Sequence, residues 1–328
     1  MDLYIDYANL KSLIDSRHEE DFDDCQRMMK RQLHIIYNME KAVLKSDPVL
    51  SQWVLTKGAG RGSSEETDSF STDYFPMRPV KSNMPTEWNR KQLSSVYLID
   101  DVDSSKLKKR GTVLLGEVGE ELSVLSRLFC GKDYEYHHLY DLQKNFDSWE
   151  QLGIDHQMLP CTDIVINDRY LFKNETALVK YNLNGLLTAL VENVKNKLNV
   201  VIFTGNKALT EFGIEEAKKI IKCILEKATG VRPNITFVTS NDSSLIPHDR
   251  FIITNYRLIR SGDSFIYFDT NGNKITNGGS LDIDSLANYE TYVFTESLLE
   301  KLQESYKKIA ERNTDMVIGN KASKFILF

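Results

Sequence analysis

Two side chains in the second half of the chain have the types and the spacing that phosphate chemistry uses. They are His248 and Arg250, and they directly precede an apolar run. An imidazole can act as a nucleophile when a third group orients it, and a guanidinium can bind phosphate oxygens bidentately. Asn255 follows and can accept a hydrogen bond, but it cannot stabilise an imidazolium as an anion does. His248, Arg250 and Asn255 are therefore the residues of this stretch whose chemistry suits a phosphate group.

Two strands are predicted to position these side chains. Residues 251–254 are apolar and β-prone, as a buried strand requires. Strand-like composition resumes at residues 265–268, after Gly262. The pattern predicts a hairpin-like pair of strands with Asn255 at its bend and the histidine and arginine at its entry. Because side chains alternate along a strand, we expect the histidine and the arginine on one side, and all three candidates in one cleft at the carboxyl end of the sheet.

The spacing of these residues resembles the signature of the phospholipase D superfamily. That signature is His-x-Lys, four residues, Asp, six residues and Gly-Ser. His248, Arg250 and Asn255 occupy the first three positions, and Gly262 follows after the same interval. Three residue types differ from the signature: this chain has Arg250 in place of Lys, Asn255 in place of Asp and Asp263 in place of Ser. The resemblance covers the second half of the chain, in which the motif occurs once.

The resemblance implies a metal-independent phosphodiesterase or nuclease. In the family the imidazole attacks phosphorus and forms a phosphohistidine, while the basic residue neutralises the phosphate oxygens. It therefore implies three candidate catalytic residues: His248 as nucleophile, Arg250 as the main phosphate contact, and Asn255 at the position of the carboxylate that orients the imidazole. Lys207 and Ser264 are further candidates for phosphate binding. No metal or cofactor is expected for this chemistry. A working site in the family combines two motifs, so a single motif implies a homodimer that pairs two His248 side chains.

A binding module without turnover is the alternative. The replacements at Arg250 and Asn255 and the missing second motif favour a domain that keeps the fold and binds a phosphate-bearing ligand or a protein partner. A third interpretation is that His248 only completes a turn after Pro247. We favour nucleic acid over phospholipid as the phosphate-bearing ligand or substrate, because the sequence contains no evident amphipathic membrane helix or lipid anchor.

The composition is that of a globular protein with a sizeable core. Hydrophobic residues make up 41% of the chain, and the net charge of −6 argues against a general nucleic-acid coat protein while permitting a local basic groove. The cysteines are widely separated and form no Cys-x-x-Cys pair, which favours reduced thiols in a cytoplasmic protein: Cys25, Cys130, Cys161 and Cys223. The N-terminal residues lack the features of a signal peptide, and no apolar run has the length of a membrane span. We expect a cytoplasmic protein without a membrane partner.

The chain length of 328 residues allows two domains. We predict an N-terminal α/β domain of unknown role over residues 1–159, which offers a place for a protein partner, and a phospholipase D-like domain over 160–328. In the second domain, the predicted order of elements is β-α-β-α-β-ββ. This order predicts an α/β fold with a mixed, largely parallel sheet that is flanked by helices. Apolar spacing predicts a helix over 22–46, and a change in composition predicts a mobile loop at about 57–85. The apolar residues 325–328 are expected to dock on the domain.

A second set of carboxylates lies in the first domain. Asp6 ends a strand-like segment, and Asp100, Asp101 and Asp103 follow another. This pattern resembles the opening of PIN/NYN-type nucleases, in which a strand-end aspartate binds a divalent metal. A strand-end aspartate also commonly serves as a turn or helix-cap residue, so both interpretations remain open.

Overall fold

The computed structural model describes most of the chain from residue 128 onward. The described residues there are 128–130, 135–152, 159, 161–172, 179–191, 194, 197–269, 271–275, 279–312 and 316–328. Before residue 128 they are five strands and the short segments 7–8, 11, 46–49 and 51–52. The chain divides into two compact units, Met1–Leu128 with Ala287–Tyr289, and Phe129–Leu286 with Glu290–Phe328.

The first unit contains a parallel sheet of five described strands. They are β1 Asp2–Asp6, β2 His34–Asn38, β3 Arg78–Pro79, β4 Ser95–Leu98 and β5 Val113–Leu115, in the spatial order β3-β2-β1-β4-β5. The helix predicted over 22–46 is wrong where β2 lies. Ile35, Ile36 and Tyr37 are consecutive β-branched and aromatic residues, which favour a strand in a parallel sheet.

Several predictions for the first unit concern residues that the structure does not describe. The loop predicted at about 57–85 lies outside the described residues except for Arg78–Pro79, which form β3. Asp100, Asp101 and Asp103 also lie outside them. Asp6 is described by its backbone and is the last residue of the central strand β1.

The second unit is built on a mixed sheet of eight strands. They are β6 His137–Asp141, β7 Asp163–Asn167, β8 Asn199–Thr204, β9 Asn234–Thr239, β10 Arg250–Ile253, β11 Arg257–Ser261, β12 Ser280–Ser285 and β13 Met316–Gly319. Their spatial order is β13-β9-β8-β7-β10-β11-β12-β6. The sheet includes β6, which lies before the boundary predicted at residue 160 and pairs with β12.

The α/β class and the mixed sheet are confirmed, but the expectation of a largely parallel sheet is wrong. Within this sheet, β7, β8 and β9 run parallel to one another, and the other neighbouring pairs are antiparallel. The reason is the connection after β10, a short hairpin loop at residues 254–256, since tight hairpins join antiparallel strands.

The hairpin partner of β10 is β11, and not residues 265–268 as predicted. Those residues pack as an aromatic segment instead, with the Tyr267 ring stacked at 4.8 Å on Trp149. The backbone N–H groups of Tyr267 and Phe268 donate to Asn182 Oδ1 at 2.8 and 3.1 Å. Aromatic composition therefore reflects core packing here and not strand pairing.

Helices cover the sheet of the second unit. A π-helical turn, Val179–Leu183, leads into α1 Asn184–Val191, and α2 Asn206–Phe212, α3 Ile214–Thr229 and α4 Tyr289–Ala310 follow. α3 ends at Gly230, which adopts a left-handed conformation with φ 70° and donates its backbone N–H to Glu226 O. Leu187 of α1 and Ile221 of α3 lie in one core with Ile202 of β8.

The C-terminal tail docks on this unit, as predicted. Phe325 and Ile326 are buried, and the Phe328 ring packs edge-on against Tyr306 at 5.0 Å. The Gln303 side chain binds the backbone of Leu327 through both its oxygen and its nitrogen. Burying these apolar side chains stabilises the fold by roughly 1.5–3 kcal/mol for each one fully removed from water. Among the described residues, none of the helices combines the length and the apolar composition that a membrane crossing requires.

Candidate functional site

The carboxyl ends of the parallel strands β7, β8 and β9 lie at one edge of the sheet. β10 begins at that edge, because it runs antiparallel to β7 with Phe251 opposite Asn167. Chain turns at the carboxyl ends of parallel strands are the usual location of sites in such sheets. His248 and Arg250 lie at this edge, as predicted, and the residues that follow β7 lie beside them.

His248 is an exposed side chain in the loop between β9 and β10. Its Nδ1 lies 3.2 Å from the Tyr170 hydroxyl, and the two rings lie 5.6 Å apart. If Nδ1 carries the proton and donates to the hydroxyl oxygen, Nε2 has a free lone pair and can act as a nucleophile. The tautomer therefore decides what this imidazole can do, and the tyrosine hydroxyl can accept or donate to suit either form.

Three hydrogen bonds hold the loop that carries His248. The Arg169 guanidinium donates to Ile246 O at 3.2 Å and to Asn241 O, so the segment after β7 supports the segment after β9. The Asn167 side-chain amide donates to Asp249 O. These contacts to backbone carbonyls fix the position of the loop without depending on the loop side chains.

Arg250 is the first residue of β10 and is half-buried. Its guanidinium carbon lies 5.7 Å from the centre of the Tyr170 ring, within cation–π range. Nη1 donates to Gly262 O at 3.4 Å, and Nε is buried without a hydrogen-bond partner. Arg250 forms no ion pair with the described residues, so its charge remains available for an anion, although its Nε is shielded from solvent.

Asp168 directly follows β7 and is fully buried. Its Oδ2 accepts from Ser264 Oγ at 2.6 Å and from Phe265 N at 2.9 Å, and its Oδ1 accepts from Tyr170 N at 2.9 Å. Burial raises the pKa of this carboxyl, against the opposing effects of the three hydrogen bonds and of the nearby Arg250 charge. The carboxylate therefore connects the turn after β7 to the loop after β11.

Asn255 does not join this cleft, and the prediction that it converges with His248 and Arg250 is wrong. It is buried after the other end of β10, where its Oδ1 accepts from the backbone N–H groups of Thr162 at 2.7 Å and Asp163 at 3.1 Å. Those donors lie at the start of β7, at the opposite edge of the sheet. The strand length separates Asn255 from the cleft.

Lys207 and Ser264, the two further phosphate candidates, occupy different environments. Lys207 lies in α2, at the carboxyl end of β8, and its backbone N–H donates to Asn241 Oδ1 at 3.0 Å. Its side chain is exposed, with Nζ 3.8 Å from Glu211 Oε1. Ser264 is buried and its hydroxyl is hydrogen-bonded to Asp168.

The site contains two residues that the sequence interpretation did not select, Tyr170 and Asp168. The signal that could have found them is their place directly after a buried parallel strand. Within the described part of the chain, no group of three or more His, Cys, Asp or Glu side chains is arranged to hold a metal ion. No protein-family model matches the chain, and a search of curated proteins found no match to its sequence.

Proposed function

We propose that the chain is a phospholipase D-like phosphodiesterase that cleaves nucleic acid through His248. The observation that carries the proposal is that His248 and Arg250 both contact the Tyr170 side chain, His248 at its hydroxyl and Arg250 at its ring. A nucleophilic nitrogen beside a guanidinium that forms no ion pair with the described residues suits displacement at a phosphodiester, because this reaction depends mainly on positioning and positive charge. The phospholipase D-like spacing of the motif supports the same reaction.

The proposed reaction has two displacements at phosphorus. His248 Nε2 attacks the phosphorus, an N–P bond forms, and the bond to the leaving oxygen breaks as that oxygen takes a proton from the protonated His248 of the paired copy. Water then attacks the phosphorus and gives a proton back to that second imidazole, the N–P bond breaks, and the first imidazole is regenerated. Arg250 binds the non-bridging oxygens throughout and stabilises the charge that develops on them.

The role of Tyr170 in this reaction is to orient the imidazole. A hydrogen bond from Nδ1–H to the hydroxyl oxygen places the free lone pair on Nε2, which is the arrangement that the first displacement requires. A third group that orients the reacting imidazole is the general pattern of covalent catalysis.

A second candidate function is phosphate recognition without turnover. One observation favours it: the partner of His248 is the neutral hydroxyl of Tyr170, which stabilises an imidazolium less than a carboxylate does. Arg250 would then bind a phosphate group and His248 would contribute a hydrogen bond. Both candidates make Arg250 the main anion contact, and they differ in what His248 does.

A cleavage and binding assay separates the two candidates. A short labelled single-stranded oligonucleotide is incubated with the wild type, His248→Ala and Arg250→Ala in the presence of EDTA. The control is His137→Ala, which removes an exposed histidine on β6. Cleavage by the wild type and the control but not by His248→Ala, with affinity largely kept, supports the phosphodiesterase, because a nucleophile acts in the transition state. Arg250-dependent binding without cleavage supports the recognition module, and no binding at all contradicts both.

A paired site is part of the phosphodiesterase proposal, because a working site in the phospholipase D family combines two motifs. We propose that two copies place their His248 side chains together across a two-fold axis. Sedimentation of the active protein tests this pairing. Cleavage by a species with the mass of one chain contradicts it.

A further inference from the structure

We infer that Asp168 is a positioning residue that keeps His248 and Arg250 directed at one ligand. The inference rests on the proposed function and deepens it, because it assigns the group that holds the two functional side chains together. Asp168 touches neither side chain through a hydrogen bond. It acts through the Tyr170 backbone on one side and the loop after β11 on the other.

The connection to His248 passes through Tyr170. Asp168 Oδ1 accepts from Tyr170 N at 2.9 Å, and this bond fixes the turn from which the Tyr170 ring projects. The hydroxyl of that ring lies 3.2 Å from His248 Nδ1. A change in the turn would therefore move the group that orients the imidazole.

The connection to Arg250 passes through the loop after β11. Asp168 Oδ2 accepts from Ser264 Oγ at 2.6 Å and from Phe265 N at 2.9 Å. The same loop presents Gly262 O to Arg250 Nη1 at 3.4 Å. The last pair between β7 and β10 at this end is Asn167 with Phe251, so Asp168 and Arg250 are the next residues along the two neighbouring strands. The Arg250 charge lies close enough to the Asp168 carboxyl to oppose the rise of its pKa.

The hydrogen-bond donors around residue 168 require that both terminal atoms of its side chain be acceptors. Tyr170 N and Phe265 N are backbone donors that face different carboxylate oxygens and cannot reverse their direction. An asparagine in this place would present its NH₂ group to one of them, so that a donor faces a donor. A carboxylate is the group of this size that satisfies both.

Asp163 is a matched control for Asp168. It lies at the other end of β7, is also fully buried, and accepts hydrogen bonds from Asn199 Nδ2 at 3.1 Å and Lys324 N at 2.6 Å. Replacing either aspartate by asparagine removes one buried carboxylate, at the start of β7 for Asp163 and directly after its end for Asp168. Only Asp168→Asn should disturb the cleft.

The first measurement is NMR on the full chain, and it requires no turnover. The ring signals of His248 and the Nε–H signal of Arg250 are assigned with His248→Ala and Arg250→Lys. We expect Asp168→Asn to change the chemical shifts of both groups and Asp163→Asn to change neither. Unchanged signals in folded Asp168→Asn would overturn the inference.

Ser264→Ala keeps the test decisive if Asp168→Asn does not fold. It removes one of the two donors to Oδ2 and leaves the bond from Tyr170 N in place. We expect the Arg250 signal to move and the His248 signals to stay. Movement of neither signal, or of the His248 signals alone, contradicts the inference.

The second measurement is turnover of a phosphodiester, with kcat and KM recorded between pH 5 and 9. We expect Asp168→Asn to lower kcat at least about tenfold relative to Asp163→Asn, because small displacements of reacting groups have large effects on rate. KM should rise as well, since Arg250 loses its orientation. An equal loss in the two variants would assign Asp168 a structural role only.

The two proposals can fail separately. If the wild type neither cleaves nor binds a labelled oligonucleotide, but Asp168→Asn still moves both NMR signals, the proposed function is wrong and the positioning by Asp168 stands. If the wild type cleaves and Asp168→Asn behaves as Asp163→Asn in every measurement, the function stands and the inference is wrong.

Discussion

Asn255 accepts a hydrogen bond of 2.7 Å from the backbone N–H of Thr162, and this contact joins the end of β10 to the start of β7. The same oxygen accepts from Asp163 N at 3.1 Å. The position that matches the carboxylate of the phospholipase D signature therefore serves strand pairing in this chain. It lies at the edge of the sheet opposite the cleft.

We expect Asn255→Ala to destabilise the fold and to leave ligand binding unchanged. Each buried N–H group left without an acceptor costs roughly 1–3 kcal/mol, and Asn255 Oδ1 satisfies the N–H groups of Thr162 and Asp163. Chemical denaturation of the wild type, Asn255→Ala and Asn255→Asp measures the effect. Asn255→Asp keeps a side-chain acceptor and should therefore lose less stability than Asn255→Ala. An equal loss in both variants would show that the acceptor is not what stabilises the strands.

Much of the second unit follows from local sequence patterns. β8 is continuously apolar over Val200–Phe203, which is typical of a strand buried on both faces, and α3 combines an apolar face with Gly230 at its end. These signals are contained within single elements. The alternating helices and strands also predict the α/β class correctly.

The placement of Asn255 was the part of the site that a motif could not predict. Asn255 is five positions after Arg250, and at about 3.3 Å per residue an extended chain spans about 16 Å over that interval. A strand spacing of this kind places the two residues at opposite edges of a sheet. Tyr170 and Asp168 lie about 80 positions before the motif along the chain. Their place directly after a buried strand marks them as candidates, but it is the pairing of β7 with β10 that brings them to the cleft.

Gly319→Ala should destabilise the second unit strongly. Gly319 ends β13 with φ +129°, and a Cβ at this position would overlap the Ile235 carbonyl oxygen and lie 2.9 Å from Thr236 Cα. The backbone of β9 cannot move aside, so the pairing of β13 with β9 should be lost at a cost of roughly 2 kcal/mol or more. Gly230→Ala is the control. Gly230 also has a positive φ of 70°, but a Cβ added there would have no neighbouring atom within 4 Å. Gly230→Ala should therefore lower the free energy of unfolding by only about 1–2 kcal/mol. Thermal unfolding of both variants tests the difference.

The stability conferred by Asp242 should disappear in acid. Hydrogen bonds from the Ser244 hydroxyl at 2.6 Å and from Arg312 at 2.8 Å hold the pKa of the Asp242 carboxyl well below its usual range. A lowered pKa means that the stabilisation is present above the unfolded value of about 3.9 and is lost as the pH falls toward the folded value.

The measurement for Asp242 is the free energy of unfolding between pH 3 and 7. The difference between the wild type and Asp242→Asn should be largest above about pH 5, where the unfolded carboxyl is ionised, and should shrink below about pH 4. Glu150→Gln removes an exposed acid elsewhere in the unit and serves as the control. A difference that grows as the pH falls would contradict the assignment.

Arg250→Ala should weaken the binding of a phosphate-bearing ligand about tenfold or more. Hydrogen bonds to charged groups are worth roughly 1.5–3 kcal/mol, and 1.4 kcal/mol corresponds to a factor of ten. Arg250→Lys keeps the charge but not the planar fork, so we expect an intermediate loss. Lys207→Ala should have a smaller effect, because its side chain is exposed and lies near Glu211. Titration of a labelled oligonucleotide with each variant tests this order of affinities. An Arg250→Ala variant that binds as well as the wild type would exclude phosphate recognition by this residue.

Tyr170→Phe separates the orientation of His248 from the packing of Arg250. It removes the hydroxyl that lies 3.2 Å from His248 Nδ1 and keeps the ring that the Arg250 guanidinium contacts. In the phosphodiesterase, kcat should fall about tenfold or more, since orientation of the reacting group is lost, while the affinity for the oligonucleotide changes little. Tyr181→Phe, which removes a tyrosine hydroxyl elsewhere in the same unit, is the control for a nonspecific effect. Single-turnover cleavage and equilibrium binding provide the two readouts. A loss of affinity with unchanged kcat would assign the Tyr170 hydroxyl to ligand binding and not to the orientation of His248.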